Sequence, residues 1–356
     1  MTRIEKLSKF LPEDSAALVL TPVNRFYLTG FPSSAGVLLV FGGRPDKAVF
    51  FTDGRYIEAA KLAVNDCDVQ LSDSSLARIK QLLADEGSVN VWLETGITVA
   101  ELSRFVQGID RFSVSAPDGL TEFLTQTRAV KEPAELVKIK EAQAVAQAAF
   151  HHIADYIRPG VLECEIALEL EMFMRKNGAQ ASAFDIIALA GGNTSKPHGV
   201  PGETAVHPGD LVLLDYGAVC GGYRSDMTRT VAMTHCGECE REVYELVKSA
   251  GEAAILAVRA GICASEIDKT AREVISAGGY GKEFSHSTGH GVGLDIHEAH
   301  TLSAASTAVL AAGNVQTVEP GIYIEGAFGV RIEDMVVVTE EGCENLTSIT
   351  RDLVVL

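Results

Sequence analysis

The stretch LLDYGAVCGGYRSD, residues 213–226, sets an apolar run that ends in one acid, Asp215, against a second acid, Asp226, across a glycine-rich interval. An apolar segment on each side of such an interval reads as an antiparallel hairpin. With Cys220-Gly221 as a two-residue loop, residue 215 falls directly opposite residue 226 on one face. Opposed side chains in an antiparallel pair have Cβ atoms about 4.5–5.5 Å apart, close enough for like charges to destabilise the sheet. The repulsion has two remedies: a proton shared between the carboxylates, or cations held between them.

The hairpin has a counterpart further along the chain. RPGVLECEI, from Arg158, matches RAGICASEI, from Arg259, at Arg, Gly, Glu and Ile. GDLVLLD from Gly209 to Asp215 parallels GNVQTVE from Gly313 to Glu319, and Arg224-Ser-Asp226 parallels Arg331-Ile-Glu333. Each half therefore reads as two helices followed by an acid-bearing hairpin, an α+β unit present twice. A loop centred on Gly326 would place Glu319 opposite Glu333. Two such halves facing each other bring four carboxylates towards one axis.

Upstream the rhythm differs. Short apolar runs at residues 16–20, 36–41, 47–51 and 89–94 alternate with helical stretches such as SLARIKQLLADEG, which predicts an α/β domain. Thr98 and Glu101 stand at capping-box spacing ahead of one helix. Pro133 suits the first turn of a long helix that Pro159-Gly160 ends. The boundary is set just ahead of that helix, giving domains 1–127 and 128–356.

Composition narrows the function. The chain has 356 residues, 47% of them hydrophobic, enough for two full cores. Its formal net charge of −18 argues against nucleic acid, whose phosphates demand clustered Lys and Arg. No stretch approaches the roughly 20 apolar residues of a membrane span, and the N-terminus has no signal-peptide core. Seven scattered cysteines form no disulfide framework, and together with these absences they predict a cytoplasmic protein. Cys236 and Cys239 form a CxxC beside His235, but no second ligand pair follows at zinc-site spacing.

A nitrogen ligand should come from FSHSTGHGVGLDIHEAH, residues 284–300, which holds four histidines. His286 and His300 read most simply as surface or hydrogen-bonded histidines. Small residues around His290 allow close approach, and His290 and His297 have a compatible set of acids elsewhere in the chain. Carboxylates with one imidazole suit manganese, cobalt or zinc, and a thiolate site is excluded by ligand type.

Four segments, LLDYGAVCGGYRSDMTRT, HSTGHGVGLDIHE, VEPGIYI and GVRIEDMVVVTEEG, together resemble the pita-bread metallopeptidases, in the Xaa-Pro dipeptidase (prolidase) and aminopeptidase P branch. NRFYLTGF and FTDGRYIEAA resemble the creatinase-type N-terminal domain of that branch, so the likeness covers nearly the whole chain. It implies a creatinase-like α/β domain followed by a pita-bread α+β catalytic domain with an internal pseudo-two-fold repeat. It also implies two divalent metal ions, most simply manganese, on Asp215, Asp226, His290, Glu319 and Glu333, with Asp226 and Glu333 bridging. His198 matches a histidine near the substrate, His297 one that contacts the scissile region, and Arg331 an arginine at the substrate-binding edge. Ser287 stands where glycine is usual, and Glu298-Ala299 where proline is common, which bears on specificity rather than on metal binding.

The activity so implied is hydrolysis of the bond before proline, with Glu319 both ligating and passing a proton to the leaving nitrogen. Substrates would be small peptides with proline second, and the assembly a homodimer. Xaa-Pro dipeptides would be the preferred substrates, and removal of the first residue from longer Xaa-Pro peptides is the alternative. A metal-free hydrolase or a non-catalytic protein on the same scaffold would show eroded ligands, and all five are present.

Overall fold

A computed structural model of the chain describes residues 1–71 and 75–356. Met1–Arg128 and Ala129–Leu356 form two compact units. In the first, strands β1 (Ser15–Val19), β2 (Val37–Phe41), β3 (Arg44–Thr52), β4 (Asp68–Leu71), β5 (Asn90–Leu93) and β6 (Ser113–Ser115) make one mixed sheet in the order β4-β3-β2-β1-β5-β6. The four apolar runs noted in the sequence are β1, β2, β3 and β5. Helices α1 (Arg3–Phe10), α2 (Pro22–Thr29), α3 (Ile57–Ala63), α4 (Ser75–Asp85), α5 (Val99–Gly108) and α6 (Asp118–Ala129) intervene. Leu39, Phe51 and Val91 on the sheet pack with Ile79 and Leu83 of α4 and Phe105 of α5. The Thr98–Glu101 capping box forms at the start of α5.

The second unit opens with α7 (Pro133–Tyr156) and α8 (Glu163–Lys176). Pro133 occupies the first turn of α7, where its missing N–H costs no bond. Ile139, Ala142, Ala146, Ala149 and Ile153 form its buried stripe at helical spacing. Strands β7 (Ala181–Ser182), β8 (Ile187–Ala190), β9 (Leu211–Tyr216), β10 (Ala218–Cys220), β11 (Tyr223–Arg224) and β12 (Met227–Ala232) follow. The pattern then recurs: α9 (Glu238–Ala257), α10 (Ala264–Ala277), β13 (Gly289–Gly291), β14 (Glu298–Leu302), β15 (Val315–Val318), β16 (Gly321–Ile324), β17 (Phe328–Arg331), β18 (Asp334–Val338) and β19 (Cys343–Asn345). In the first half β8, β9 and β12 run antiparallel in the order β12-β9-β8, and in the second β13, β15 and β18 take the equivalent places.

The repeat extends to individual hydrogen bonds. Gly160 N donates to Val206 O at 2.8 Å and Val206 N to Val161 O at 2.9 Å; Gly261 to Leu310 and Leu310 to Ile262 repeat both distances. Gly160, Gly209, Gly261 and Gly313 all sit at positive φ, which accounts for the glycines shared by the two halves.

The first hairpin departs from the expected register. Its loop is Gly221-Gly222, both residues at positive φ as a type I′ turn requires, not Cys220-Gly221. Asp215 therefore pairs with Thr228 rather than with Asp226. Because side chains alternate with a period of two, this two-residue shift leaves Asp226 on the same face, diagonal to Asp215. In the second hairpin the ladder of β16 with β17 and that of β15 with β18 share one register. Glu319 and Glu333, in the gap between those ladders, consequently stand across from each other as the Gly326-centred loop predicts.

Candidate metal centre

Both hairpins break at the same place. The ladder of β9 with β12 stops at Tyr216 and Met227, and a new short ladder, β10 with β11, begins at Val219 and Arg224. Asp226 lies in this break; Glu319 and Glu333 lie in the matching break of the second hairpin. An interruption of this kind bends the strand and re-aims the side chains at it. Gly217 is needed there, since a Cβ would stand 1.8 Å from the Ser225 carbonyl oxygen. On β13, His290 is flanked by two glycines for the same reason: a Cβ at Gly289 would meet the Thr317 oxygen at 2.0 Å and one at Gly291 the Ala299 oxygen at 2.1 Å.

The result is a convergence of acceptors. Ligand atoms of Asp226, His290 and Glu333 all lie within 4.8 Å of one another. His290 Nδ1 is 3.1 Å from the Gly291 carbonyl, which makes it the protonated nitrogen and leaves Nε2 as a lone pair. That lone pair faces Asp226 Oδ2 at 3.6 Å and Glu319 Oε1 at 3.4 Å. Asp215 lines the same cleft: its Oδ2 accepts from Arg331 at 2.5 Å, while its buried Oδ1 has no hydrogen-bond partner among the described residues. Three oxygens and a nitrogen facing one another repel unless protons or a cation stand between them. Oxygen donors with one imidazole fit a hard or borderline divalent ion.

The titration behaviour agrees with this need. Burial first, then the neighbouring Glu333, Asp215 and Glu319, push the Asp226 carboxyl well above the usual carboxylate range. Burial and the Glu319 and Asp215 charges do the same to Glu333. Burial pushes Glu319 up to about 7 against the opposing pull of Arg331. Burial also depresses His290, so its own protonation is not the missing charge.

Around the acids is a hydrogen-bonded support. Thr228 Oγ1 donates to Glu333 Oε2 at 2.7 Å and accepts from Arg331 Nε at 3.1 Å. Arg331 also donates to the Tyr323 hydroxyl at 2.7 Å, and that hydroxyl is 2.9 Å from His286 Nε2. Asp268 on α10 accepts from the Thr288 amide and hydroxyl and pairs with Arg272, which in turn donates to the Phe284 and His286 carbonyls. The histidine segment is thereby fixed to a helix. Behind the acids Arg229 on β12, fully buried, pairs with Asp334 of β18 at 2.7 Å and donates to the Glu333 carbonyl at 2.6 Å.

All eight residues singled out from the sequence line one cleft of about 1140 Å³. Their exposures differ: His198 and His297 are exposed at the cleft, while Arg331 is buried and bonded to Asp215, Tyr323, Thr228 and the Pro197 carbonyl. The His297 ring lies 4.4 Å from that of His290, edge to face. His300 is half-buried, and burial with the nearby Lys131 lowers its pKa. Cys236 and Cys239 are free thiols.

Sequence reasoning missed Thr228, Tyr323 and the placing of His286 in the cleft. A signal for Tyr323 exists: across the β16–β17 hairpin Arg331 pairs with Gly321 and Tyr323 with Gly329. A Cβ at Gly321 would lie 2.5 Å from the Tyr323 oxygen and one at Gly329 2.8 Å from its ring, so both glycines make room for Tyr323.

Comparison with known proteins agrees with this architecture. Metallopeptidase family M24 matches residues 137–340, and the Creatinase/Prolidase N-terminal domain matches residues 3–130. An Xaa-Pro dipeptidase of Pyrococcus furiosus is 35% identical over 360 residues, 99% of each chain. Among solved structures, an Xaa-Pro dipeptidase from Bacillus anthracis superposes with a TM-score of 0.94 at 38% identity, covering 99% of both chains. An X-Pro aminopeptidase from Thermotoga maritima gives 0.92 at 33%, covering 99% of this chain and 100% of its own. With a duplicated α+β unit, a convergence of acids around one imidazole and a family match over more than half its length, the chain belongs to metallopeptidase family M24.

Proposed function

We propose that the protein is a two-metal exopeptidase that hydrolyses the peptide bond before proline, with Xaa-Pro dipeptides as preferred substrates. The observation that carries this reading is the ring of facing acceptors around His290 Nε2, together with the unpartnered Asp215 Oδ1. Asp226 and Glu333 would bridge two ions, Asp215 would serve one of them, and His290 with Glu319 the other. Manganese is the ion we favour. Divalent cations at these residues supply Lewis-acid polarisation of a carbonyl and lower the pKa of water.

The chain's own groups do the rest. His297 and His198, exposed at the cleft, donate to the carbonyl oxygen as negative charge develops on it. Glu319 takes a proton and hands it to the leaving nitrogen. Arg331, with its guanidinium bonded to protein on several sides, acts through Asp215, whose Oδ2 it holds while Oδ1 is left without a hydrogen-bond partner among the described residues. A peptide nitrogen that belongs to proline carries no hydrogen, so recognition must come from packing of its ring. Phe184, Ile186, Val200 and Pro201 give the cleft an apolar wall suited to that.

The names of the similar dipeptidases support the dipeptide preference. The size of the cleft favours a second reading, removal of the first residue from longer Xaa-Pro peptides, because pockets of about 300–1,000 Å³ already hold drug-sized ligands. Leu168 and Val200 expose apolar surface at the cleft rim, which supports a homodimer that covers it. The free cysteines support a cytoplasmic setting. The deciding experiment strips the enzyme of metal, restores Mn²⁺ or Co²⁺, and compares hydrolysis of Ala-Pro with that of Ala-Pro-Phe. Metal-dependent cleavage with the dipeptide preferred is expected. The reverse preference would establish the second reading, and no cleavage of either would sink both.

A further inference from the structure

His297 is exposed, on a turn between β13 and β14, yet its ring packs edge to face on the candidate ligand His290. An exposed side chain on a turn holds such a position only if the turn itself is rigid. Residues 293–298 are folded around the carboxylate of Glu298. Its Oε1 accepts from the backbone amides of Leu294 at 3.0 Å and Asp295 at 3.3 Å. Gly293 has no Cβ because one would stand 2.4 Å from Glu298 Oε2, and its N–H closes onto the Asp295 carbonyl at 3.0 Å. From outside, Arg224 grips the same turn, its backbone N donating to the Gly293 carbonyl at 2.8 Å and its Nε to the Leu294 carbonyl at 3.1 Å.

A carboxylate enclosed in this way needs a counter-charge. It comes from Lys131, 167 residues away in sequence, whose Nζ reaches Glu298 Oε2 at 3.0 Å and also donates to the Ala129 carbonyl at 3.2 Å. The two side chains are 1% and 4% exposed, so the pair is an interior one and escapes the screening that weakens surface ion pairs. The Lys131 backbone is fixed as well, with its N–H on the Gly313 carbonyl at 2.9 Å. Glu298 adjoins His297 in the chain, so its setting determines where the imidazole stands.

We infer that the Lys131–Glu298 ion pair is a positioning device for His297 in the hydrolytic reaction. Lys131 and Glu298 do not touch the reacting atoms; they set the turn from which His297 reaches them. The inference rests on the reading of His297 as a group that contacts the scissile region.

The test is a double-mutant cycle on the full-length, Mn²⁺-loaded enzyme with Ala-Pro as substrate, using K131M, H297A and the K131M/H297A pair. E298Q serves as a second probe: its amide oxygen can still accept from Leu294 and Asp295, while the charge facing Lys131 is gone. Misplacement of a reacting group by about 1 Å costs on the order of 100-fold. K131M and E298Q should therefore lower kcat by about 10- to 100-fold, with KM within about twofold and the bound-metal stoichiometry unchanged. In the H297A background K131M should bring no further loss. Multiplicative losses in the double variant, or single variants with full kcat, would overturn the inference while leaving the role of His297 intact. An H297A enzyme with undiminished kcat would remove the reading of His297 and the positioning role with it. Loss of metal from E298Q in parallel with activity would also overturn the inference, because the pair would then support the centre as a whole rather than position His297.

Discussion

Thr228 shows how much of the centre depends on groups that are not themselves candidate ligands. Its hydroxyl donates to Glu333 and accepts from Arg331, so one oxygen orients a candidate ligand and the guanidinium that holds Asp215. Substituting Thr228→Val keeps the shape and removes both bonds. Partners of this kind are worth about 10–100-fold in metal affinity. Titration of metal-stripped T228V with Mn²⁺ should show a loss in that range with the thermal midpoint of the loaded protein little changed, and unchanged affinity would remove Thr228 from the support. The convergence of acids could be read from the paired hairpins, while the choice of His290 over His297 as a ligand comes from the family resemblance. Thr228 could be read from neither, since a threonine on a strand is ordinary and both partners of its hydroxyl lie in the other half of the repeat.

At the scale of the element, the breaks in the hairpins do the presenting, and the glycines permit them. A Cβ at Gly289 would press on the Thr317 carbonyl, and Thr317 also accepts the His290 amide. Gly289→Ala is expected to force β13 away from β15 at a cost of about 1–3 kcal/mol, the range for overpacking. Thermal unfolding of the metal-free variant should fall by about 3–10 °C. A midpoint within 1 °C of the parent would mean the ladder yields without strain. The hairpins themselves were legible as apolar runs around glycines, and so was the face shared by Asp215 and Asp226. The turn was misplaced because both Cys220-Gly221 and Gly221-Gly222 fit a two-residue loop, and only the second puts glycine at both positive-φ positions.

Across the whole molecule the acids set a pH dependence. Glu319 titrates near 4.5 when exposed and at about 7 in the folded protein, and Asp226 and Glu333 are raised as well. The folded state binds these protons more tightly than the unfolded chain does, so metal-free protein is favoured at low pH and loses stability as pH climbs from 4.5 through about 7. For Glu319 alone the loss is on the order of 3 kcal/mol. Cations compete with those protons and restore the difference. The gap in thermal midpoint between Mn²⁺-loaded and metal-free enzyme should therefore widen by at least about 5 °C between pH 5 and pH 8. A gap that stays constant or narrows would show that these carboxyls do not titrate as their burial requires. The duplication behind this cluster was legible from a few matched residues, because the glycines that need positive φ recur in both halves. The network that joins the halves was not, since Arg229 and Asp334 look like ordinary strand residues until the two sheets are brought together. That buried pair closes the seam from behind, independently of any ion. The ordering of the seat is thus complete once the chain has folded, and an arriving cation meets a finished receptacle whose mutual repulsion it relieves. Its affinity reflects that relief, and its rate of entry the passage through the cleft.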